Sequence, residues 1–176
     1  AVVGSRKATG YGLSIAERFS RVLASEKIAI VSGGAYGIDA AAHEGALLGG
    51  GKTISVLGSG LARPYPVRHK GLFQRISETG AVISEFSPFT PPMAYQFPMR
   101  NRIIVGLSSG VLVVEAALKS GAMITAHLAA DEGRDVYAVP GPIESFTSKG
   151  THALIKEGAH LVDDPQDLLD VYFPAV

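Results

Sequence analysis

The sequence predicts a three-layer, doubly wound α/β domain with a mostly parallel sheet. Short runs rich in Val and Ile alternate with longer stretches of helical periodicity, and most of these runs are apolar throughout. Strands buried on both faces have this character, and strands that alternate with helices form right-handed βαβ units. The predicted strands span residues 2–4, 28–32, 53–57, 81–84, 110–114, 135–139 and 160–162.

The segments between these strands have the periodicity of helices. In the first segment Ala16, Phe19 and Leu23 share one helical face, and Asp39 stands where it can cap the second helix. Residues 86–99 contain four prolines and are predicted to form a long loop, a feature that is usually functional or mobile in a compact domain. The predicted helices span residues 11–25, 39–48, 69–79, 102–107, 122–132, 151–157 and 165–171.

The composition indicates a single domain over residues 1–176. A chain of 176 residues buries roughly 70 % of its unfolded surface, so it needs no covalent staples. It has no cysteine, which excludes disulfides and thiolate metal sites, and no apolar run long enough to cross a membrane. Its apolar start is too short for a signal peptide, so we expect a cytoplasmic protein. Because the chain lacks an initiator Met and opens in a predicted strand, we expect a piece of a longer protein.

The charge balance restricts how the domain can bind an anion. There are 16 Lys and Arg residues and 16 Asp and Glu residues, so the formal net charge is zero. A protein that coats nucleic acid through a bulk positive field needs an excess of basic residues, and that class is excluded. Any anion must therefore be held by a local group of Arg, Lys and backbone N–H groups.

A glycine-rich turn, SGGAYGID over residues 32–39, follows the second predicted strand. In an open parallel sheet, ligands bind outside the carboxyl ends of the strands. Backbone N–H groups in such a turn, together with the helix N-terminus behind it, can hold a phosphate. The alternative is a tight strand-to-helix turn whose glycines only relieve steric crowding, and the turn alone does not decide between the two.

Two common nucleotide-binding signatures are missing. The dinucleotide fingerprint needs G-x-G-x-x-G after the first strand, where this chain reads GSRKATG, and an acidic residue after the second, where it has Ser32. A Walker A lysine followed by Ser or Thr is also missing. The sequence therefore lacks the machinery for NAD binding and for P-loop nucleotide hydrolysis.

The segment FPMRNRII, residues 97–104, carries a second group of candidate ligand-binding side chains. Arg100 and Arg102 can grip phosphate oxygens bidentately, and Asn101 can contact a base edge or a backbone carbonyl. Phe97 can stack on a base, a contact worth roughly 1–3 kcal/mol in single-strand binders. The alternative is that both arginines pair with carboxylates and that Phe97 belongs to the core.

Two pairs of ionisable residues allow other chemistry. Glu85 and Glu115 each follow a strand and can act as a carboxylate pair in acid–base catalysis, although we favour a role in orienting Arg100 or Arg102. Asp39 and His43 lie one helical turn apart and can bind a metal or move a proton. A hydrogen bond between them that braces the helix is favoured, because no third ligand is in sight.

The chain resembles the DNA-processing protein DprA (Smf) family along nearly its whole length. The most specific matching segments are SGGAYGIDAAAHEGAL (32–47) and FPMRNRIIVGLS (97–108). The other matching segments are VVGSR (2–6), TISVLGSGL (53–61), YP (65–66), GAVISEF (80–86), VVEAALKSGAMITA (113–126), GRDVYAVPG (133–141) and ALIKEGAHLV (153–162).

The resemblance implies an extended Rossmann-like core that binds single-stranded DNA in a basic pocket. Family members protect incoming DNA and load the RecA recombinase onto it during natural transformation, and they usually form dimers. The resemblance implies no catalytic reaction, no cofactor and no metal. Many members carry a small helical domain before the core and a winged-helix-like domain after it, and neither is found in this sequence.

The resemblance also implies which residues contact DNA. Lys149 is added because the family commonly has Gly-Ser-Asn near this position, where this chain reads KGTH, and its ammonium can replace a lost phosphate contact. Replacing Arg6 or Arg100 with Ala is expected to weaken binding without unfolding the domain. The dimer interface is expected around residues 123–128 and 161–162. The full set of candidate contacts is Ser5, Arg6, Ser32, Gly33, Gly34, Ala35, Gly37, Phe97, Arg100, Asn101, Arg102, Ser120, Gly121 and Lys149.

Two alternative functions stay open at this stage. Related Rossmann-like proteins with a P-G-G-x-G-T turn cleave nucleoside monophosphates at the glycosidic bond. This chain shares the double glycine but has Ser32 in place of Pro, and near Asp39 it offers only Glu44, which lies off the same helical face. The second alternative is a nucleotide-sensing or scaffold domain, which would bind a mononucleotide in preference to a strand.

Overall fold

The computed structural model describes residues 1–173, in which strands and helices alternate along the chain. The predicted domain also includes residues 174–176, which lie outside the described residues. The strands are β1 (Val2–Val3), β2 (Ile30–Ser32), β3 (Thr53–Val56), β4 (Ala81–Ile83), β5 (Gly110–Val113), β6 (Asp135–Ala138) and β7 (His160–Leu161). The helices are α1 (Gly10–Ser25), α2 (Ile38–Leu48), α3 (Lys70–Thr79), α4 (Gln96–Gly106), α5 (Gly121–Asp131), α6 (Lys149–Lys156) and α7 (Pro165–Tyr172).

The strands form two hydrogen-bonded parallel sheets that lie side by side. One has the order β1-β5-β6-β7 and the other the order β2-β3-β4, with every paired strand parallel. The hydroxyl of Ser32 in β2 donates to the carbonyl of Val2 in β1 at 2.7 Å and joins the two sheets. The chain thus moves outward from β1 in one direction through β2, β3 and β4, and in the other through β5, β6 and β7. This reversal between β1 and β5 is the topological switch point at which doubly wound domains bind ligands.

Helices cover both faces of the sheets and bury a core on each side. Neighbouring residues of one strand point to opposite faces, so Val2 packs with Phe19 of α1, while Val3 packs with Ile104 of α4 and Met123 of α5. A smaller cluster lies under α3. The predicted fold class, a three-layer α/β domain with parallel strands, is therefore confirmed.

Helix α4 begins at Gln96, six residues before its predicted start at residue 102. The prediction treated Pro98 as part of a loop, but a proline in the first turn of a helix costs no hydrogen bond. The buried side chain of Gln96 accepts a hydrogen bond from the backbone N–H of Met93 at 2.7 Å and fixes the start of the helix. As a result the proline-rich loop is shorter than predicted.

The predicted cap of α2 is wrong. The N-cap is Gly37, and Asp39 lies inside the first turn. Its carboxylate reaches back and accepts hydrogen bonds from the backbone N–H groups of Gly33 at 3.2 Å and Ala35 at 3.3 Å. Asp39 therefore stabilises the glycine-rich turn rather than the end of the helix.

The predicted hydrogen bond between Asp39 and His43 does not form. His43 is fully buried, and its Nδ1 lies 2.7 Å from the hydroxyl of Thr53 in β3. That hydroxyl donates its proton to the carbonyl of Ile30 in β2 at 2.8 Å, so Nδ1–H of His43 must be the donor to Thr53. Burial, with smaller contributions from Arg100 and His69, lowers the pKa of His43 to about 3. The neutral imidazole thus ties α2 to two strands.

Helices α1 and α2 pack with their backbones in close approach. A Cβ atom on Gly45 of α2 would collide with the backbone carbonyl of Glu17 in α1. One turn later, a Cβ on Gly49 would collide with the carbonyl of Arg21. Backbone cannot move aside as a flexible side chain can, so these positions need the smallest residue. Between residues 1 and 173, none of the helices has the length and apolar character needed to span a bilayer.

We predict that acid destabilises the domain through His43. The ordinary pKa is 6.5 and the folded-state pKa is about 3, so between these values the unfolded chain binds more protons. Stability is therefore fully present above pH 6.5 and falls as the pH drops toward 3, by up to about 1.4 kcal/mol per pH unit from this residue. Urea unfolding from pH 7.5 to 4.5 should show a smaller loss in His43→Gln than in His127→Gln, whose imidazole is exposed. Equal losses in both variants would contradict this.

We also predict that Gly45→Ala destabilises the domain by about 1–3 kcal/mol, the usual cost of overpacking. The matched control is Gly71→Ala in α3, where an added Cβ meets nothing within 4 Å. That control should be neutral or stabilising by up to about 1 kcal/mol, because alanine favours the helix more than glycine does. Thermal unfolding of the two variants measures the difference, and similar midpoints would show that α1 and α2 can separate without cost.

Candidate nucleic-acid interface

The loops that follow β1, β2 and β5 meet at the switch point. The backbone N–H of Ser5 donates to the carbonyl of Glu115 at 2.7 Å, and the carbonyl of Ser5 accepts from the N–H of Ile38 at 3.2 Å. The hydroxyl of Ser5 accepts from the N–H of Lys7 at 3.1 Å, which orders the loop that carries Arg6. Arg6 is exposed. The structure therefore brings the Ser5–Arg6 loop, the glycine-rich turn and the end of β5 together.

The glycine-rich turn is held mainly by bonds within the protein. Gly34 and Gly37 have φ of 68° and 77°, a conformation that side chains other than glycine rarely adopt. Ser32 is buried with its hydroxyl bonded to β1, and the N–H groups of Gly33 and Ala35 donate to Asp39. These three predicted DNA contacts thus already have partners inside the domain, and direct DNA contact by any of them stays a prediction.

Arg100 is buried beneath the turn, with only 6 % of its surface exposed. One amino group of its guanidinium donates to the carbonyl of Gly33 at 2.7 Å and also to the carbonyl of Val56 at the end of β3. Its Nε donates to the side-chain oxygen of Asn101 at 3.2 Å, and the amide of Asn101 reaches the carbonyl of Gly121 at 3.5 Å. The sequence analysis predicted a DNA contact for Arg100. The structure gives this side chain an internal position that connects α4 to two strand ends, and its direct contact with DNA stays a prediction.

Asp39 and Arg100 stabilise each other's charge under the turn. Burial raises the pKa of Asp39, while the Arg100 guanidinium and the N–H groups of Ala35 and Gly33 oppose that rise. Burial likewise lowers the pKa of Arg100, Asp39 opposes the change, and the positive charge of Arg6 adds to it. Because Asp39 and Arg100 offset each other's charge under the turn, the exposed guanidinium of Arg6 is the cation that this part of the edge presents to solvent.

Glu115 does not pair with Arg100, contrary to the favoured expectation. It is 4 % exposed, and its carboxylate accepts from the N–H of Thr9 at 2.9 Å and from the Thr9 hydroxyl at 2.6 Å. Thr9 is the N-cap of α1 and its hydroxyl also accepts from the N–H of Gly12. A helix N-terminus after the first strand is the ordinary phosphate site of this fold class. Here a carboxylate of the protein itself lies against that terminus.

The other two candidate contacts of the FPMRNRII segment that lie apart from the Arg100–Asn101 pair, Arg102 and Phe97, reach the surface. Arg102 is 60 % exposed and pairs with Glu85, as one of the alternatives expected. The ring of Phe97 is half-buried, packs against Gly58 and lies 5.7 Å from the ring of Tyr65, centre to centre. Phe97 is thus part of an aromatic pair at the end of β3, with part of its surface open to solvent.

The remaining predicted contacts lie beyond β5 and β6. The hydroxyl of Ser120 caps α5 by accepting from the N–H of Met123 at 3.4 Å, and Gly121 is exposed beside it. Lys149 is the exposed first residue of α6, and its ammonium donates to the carbonyl of Ile143. A helix start at Lys149, two residues before the predicted one, places this cation at the helix N-terminus.

The sequence analysis missed three aromatic residues at this edge. Tyr36, at the tip of the glycine-rich turn, contacts His69 edge-on with ring centres 4.8 Å apart. His69 Nδ1 also bonds the carbonyl of Gly34 at 2.9 Å. Tyr65 pairs with Phe97 as described above. The signal available for Tyr36 was an aromatic residue between two glycines of the turn, whereas its contact with His69 depends on the fold.

The carboxylates needed for the alternative enzyme do not come together. Asp39 is bonded to the turn, and Glu44 forms an exposed ion pair with Arg75 on α3. No group of three or more His, Asp or Glu side chains that could hold a metal ion occurs in the described part of the chain. Of the buried carboxylates at this edge, Asp39 thus holds the turn and Glu115 the start of α1.

The chain matches one known protein family along nearly its whole length. Residues 1–173 match the model of the DNA recombination-mediator protein A family. The chain belongs to this family. It is 51 % identical to protein Smf of Escherichia coli (strain K12) over 97 % of its own length and 46 % of that protein. It is 49 % identical to the DNA processing protein DprA of Streptococcus pneumoniae over 96 % of its own length and 60 % of that protein.

Solved structures confirm both the fold and the resemblance. DprA from Streptococcus pneumoniae superposes with a TM-score of 0.89 at 47 % identity, over 96 % of this chain and 59 % of that one. DprA from Helicobacter pylori, described for its unique single-stranded DNA binding mode, gives 0.87 at 31 % identity, over 97 % and 78 %. The molybdenum cofactor binding protein of Rippkaea orientalis shares the fold, with a TM-score of 0.68 at 18 % identity. The chain spans about half the length of the curated relatives it matches.

We predict that the two arginines of the FPMRNRII segment contribute very differently to stability. Arg100→Ala leaves the buried carbonyls of Gly33 and Val56 without their donor, which should cost about 2–6 kcal/mol at about 1–3 kcal/mol for each unsatisfied buried group. Arg102→Ala removes an exposed ion pair and should cost less than about 1 kcal/mol. This replaces the expectation that Arg100→Ala leaves the fold unaffected. Urea unfolding of both variants tests it, and equal stability of the two would show that Arg100 does not hold the turn.

Proposed function

We propose that this chain binds single-stranded DNA across the carboxyl edge of its sheet, with strand phosphates near Arg6 and a base near Phe97. One observation carries the proposal. The Helicobacter pylori relative, described for its single-stranded DNA binding mode, matches this chain over 97 % of its length with a TM-score of 0.87. Family membership supports a nucleic acid over other phosphate-bearing ligands.

The electrostatics of the edge support a local grip on a few nucleotides. With a net charge of zero, the chain has no excess positive charge to attract a polyanion from afar. Arg6 and Lys7 are adjacent and exposed, whereas the charge of Arg100 is buried and opposed by that of Asp39. Glu115 fills the α1 N-terminus with negative charge, which disfavours a nucleotide phosphate bound in the manner of a dinucleotide domain.

We propose further that binding is the whole of its activity, without catalysis or a cofactor, in the cytoplasm. In this view the longer protein protects incoming DNA and loads the RecA recombinase onto it during natural transformation. We also propose a homodimer. Ile124 and Leu161 are exposed and can contribute to its interface, whereas Met123 and Val162, which the sequence analysis included, are buried in the core.

We predict that Arg6→Ala weakens binding to an oligo-dT about tenfold or more with no change in thermal stability, because its side chain is exposed. The salt dependence should also fall by about 0.7 in the slope of log K against log salt, the share of one phosphate contact. Arg134→Ala is the matched control, since Arg134 is exposed at the opposite end of β6. Fluorescence anisotropy of a labelled oligonucleotide measures both.

Equal affinity of wild type, Arg6→Ala and Arg134→Ala would remove Arg6 from the interface. A competition between the labelled oligonucleotide and a mononucleotide addresses the nucleotide-sensing alternative. We expect the mononucleotide to displace the labelled oligonucleotide only at a concentration orders of magnitude above that of an unlabelled oligonucleotide. Displacement by the mononucleotide at similar concentration would favour the sensing domain and count against strand binding.

A further inference from the structure

We propose that Tyr36 and His69 form a base-stacking site for the DNA strand, next to the phosphate contact at Arg6. The proposal rests on the proposed function and assigns to that edge a second, apolar contact with the strand. Its basis is the exposed ring of Tyr36 at the tip of the turn, which contacts the half-buried imidazole of His69 and is bordered by cations.

The turn holds Tyr36 out from the body of the domain. Tyr36 stands between Gly34 and Gly37, both at positive φ, and 38 % of its surface is exposed. The chain is anchored before and after it, because the N–H of Ala35 donates to Asp39 and, two residues beyond Tyr36, the N–H of Ile38 donates to the carbonyl of Ser5. The position of Tyr36 is therefore set by the fold before any ligand arrives.

His69 supports the tyrosine ring from the side. The two rings meet edge-on, with centres 4.8 Å apart and planes at 73°. The imidazole is held by its Nδ1 bond to the carbonyl of Gly34 at 2.9 Å and by contact with the buried ring of Phe73, whose centre lies 6.1 Å away. A rigid platform loses little conformational freedom when a base stacks on it, and that favours binding.

The platform lies next to the proposed phosphate contact. A Cβ atom on Gly37 would be 3.0 Å from the carbonyl carbon and oxygen of Arg6, so the two loops touch at the residue after Tyr36. One nucleotide with its phosphate at Arg6 therefore has its base within reach of Tyr36. Stacking accepts any base, because every base offers a flat π-face.

The charges around the pair favour a nucleic acid as the occupant. Arg68 and Lys70 flank His69 in the chain, Arg6 and Lys7 lie on the adjoining loop, and all four are exposed. Aromatic rings set among cations are the usual construction of a single-strand binding groove. An apolar protein partner would have to cover these four charges.

The test uses tryptophan fluorescence, since the chain contains no Trp. Tyr36→Trp places the reporter at the platform, and Leu48→Trp, at an exposed position at the far end of α2, is the matched control. Oligo-dT should quench the fluorescence of Tyr36→Trp and leave Leu48→Trp unchanged. An abasic oligomer of the same length should bind more weakly and should not quench either variant.

Affinity provides the second measurement, by anisotropy of a labelled oligo-dT. Tyr36→Ala should lose about 5- to 150-fold in affinity, the range for one stacked base, with unchanged thermal stability. Tyr36→Phe should bind like wild type. Tyr36→Trp that binds oligo-dT without quenching, or Tyr36→Ala that binds like wild type, overturns the stacking site and leaves the proposed function standing. Failure of wild type and Leu48→Trp to bind oligo-dT overturns the proposed function itself.

Discussion

The contact of Arg100 with the glycine-rich turn is the interaction on which the candidate interface depends. Its guanidinium joins the carbonyls of Gly33 and Val56, at the ends of two neighbouring strands, while Asp39 takes the N–H groups on the same turn. The negative charge of Asp39 thus bonds N–H groups of the turn, and the positive charge of Arg100 bonds one of its carbonyls. This leaves the upper side of the turn, with Tyr36, free to face a ligand, and it explains why charged residues are buried so close to the surface.

Glu115 gives the fold a different selectivity from that of dinucleotide-binding domains. In those domains the N-terminus of the first helix receives a pyrophosphate. Here the Glu115 carboxylate accepts two hydrogen bonds from Thr9 at that position. The most general anion site of the fold is thereby filled by the protein, and the proposed strand contact relies instead on exposed side chains such as Arg6.

The sequence was sufficient to predict the strands and the family, but it did not reveal the roles of individual polar residues. Strands buried on both faces are apolar throughout, and α1 has a clear apolar face, so these elements could be predicted locally. Arg100 could not, because its partners at positions 33 and 56 become neighbours only when β2, β3 and α4 assemble. The partners of Asp39 and Glu115 were not predicted for the same reason. Pro98 misled the prediction of α4 because its cost depends on where the helix begins.

The proposed binding of a DNA strand by a domain of zero net charge depends on which of its cations are exposed. Phosphate contacts weaken as salt rises, because binding releases condensed counterions, and few exposed cations give few such contacts. The affinity that comes from stacking a base on a ring such as Phe97 falls little as salt rises, because stacking releases no counterions. Arg100 and Asp39 offset each other's charge inside the protein, so the cations that can meet strand phosphates are exposed ones such as Arg6. On the proposed interface, exposed arginines would supply the salt-sensitive part of the affinity and aromatic rings the part that resists salt.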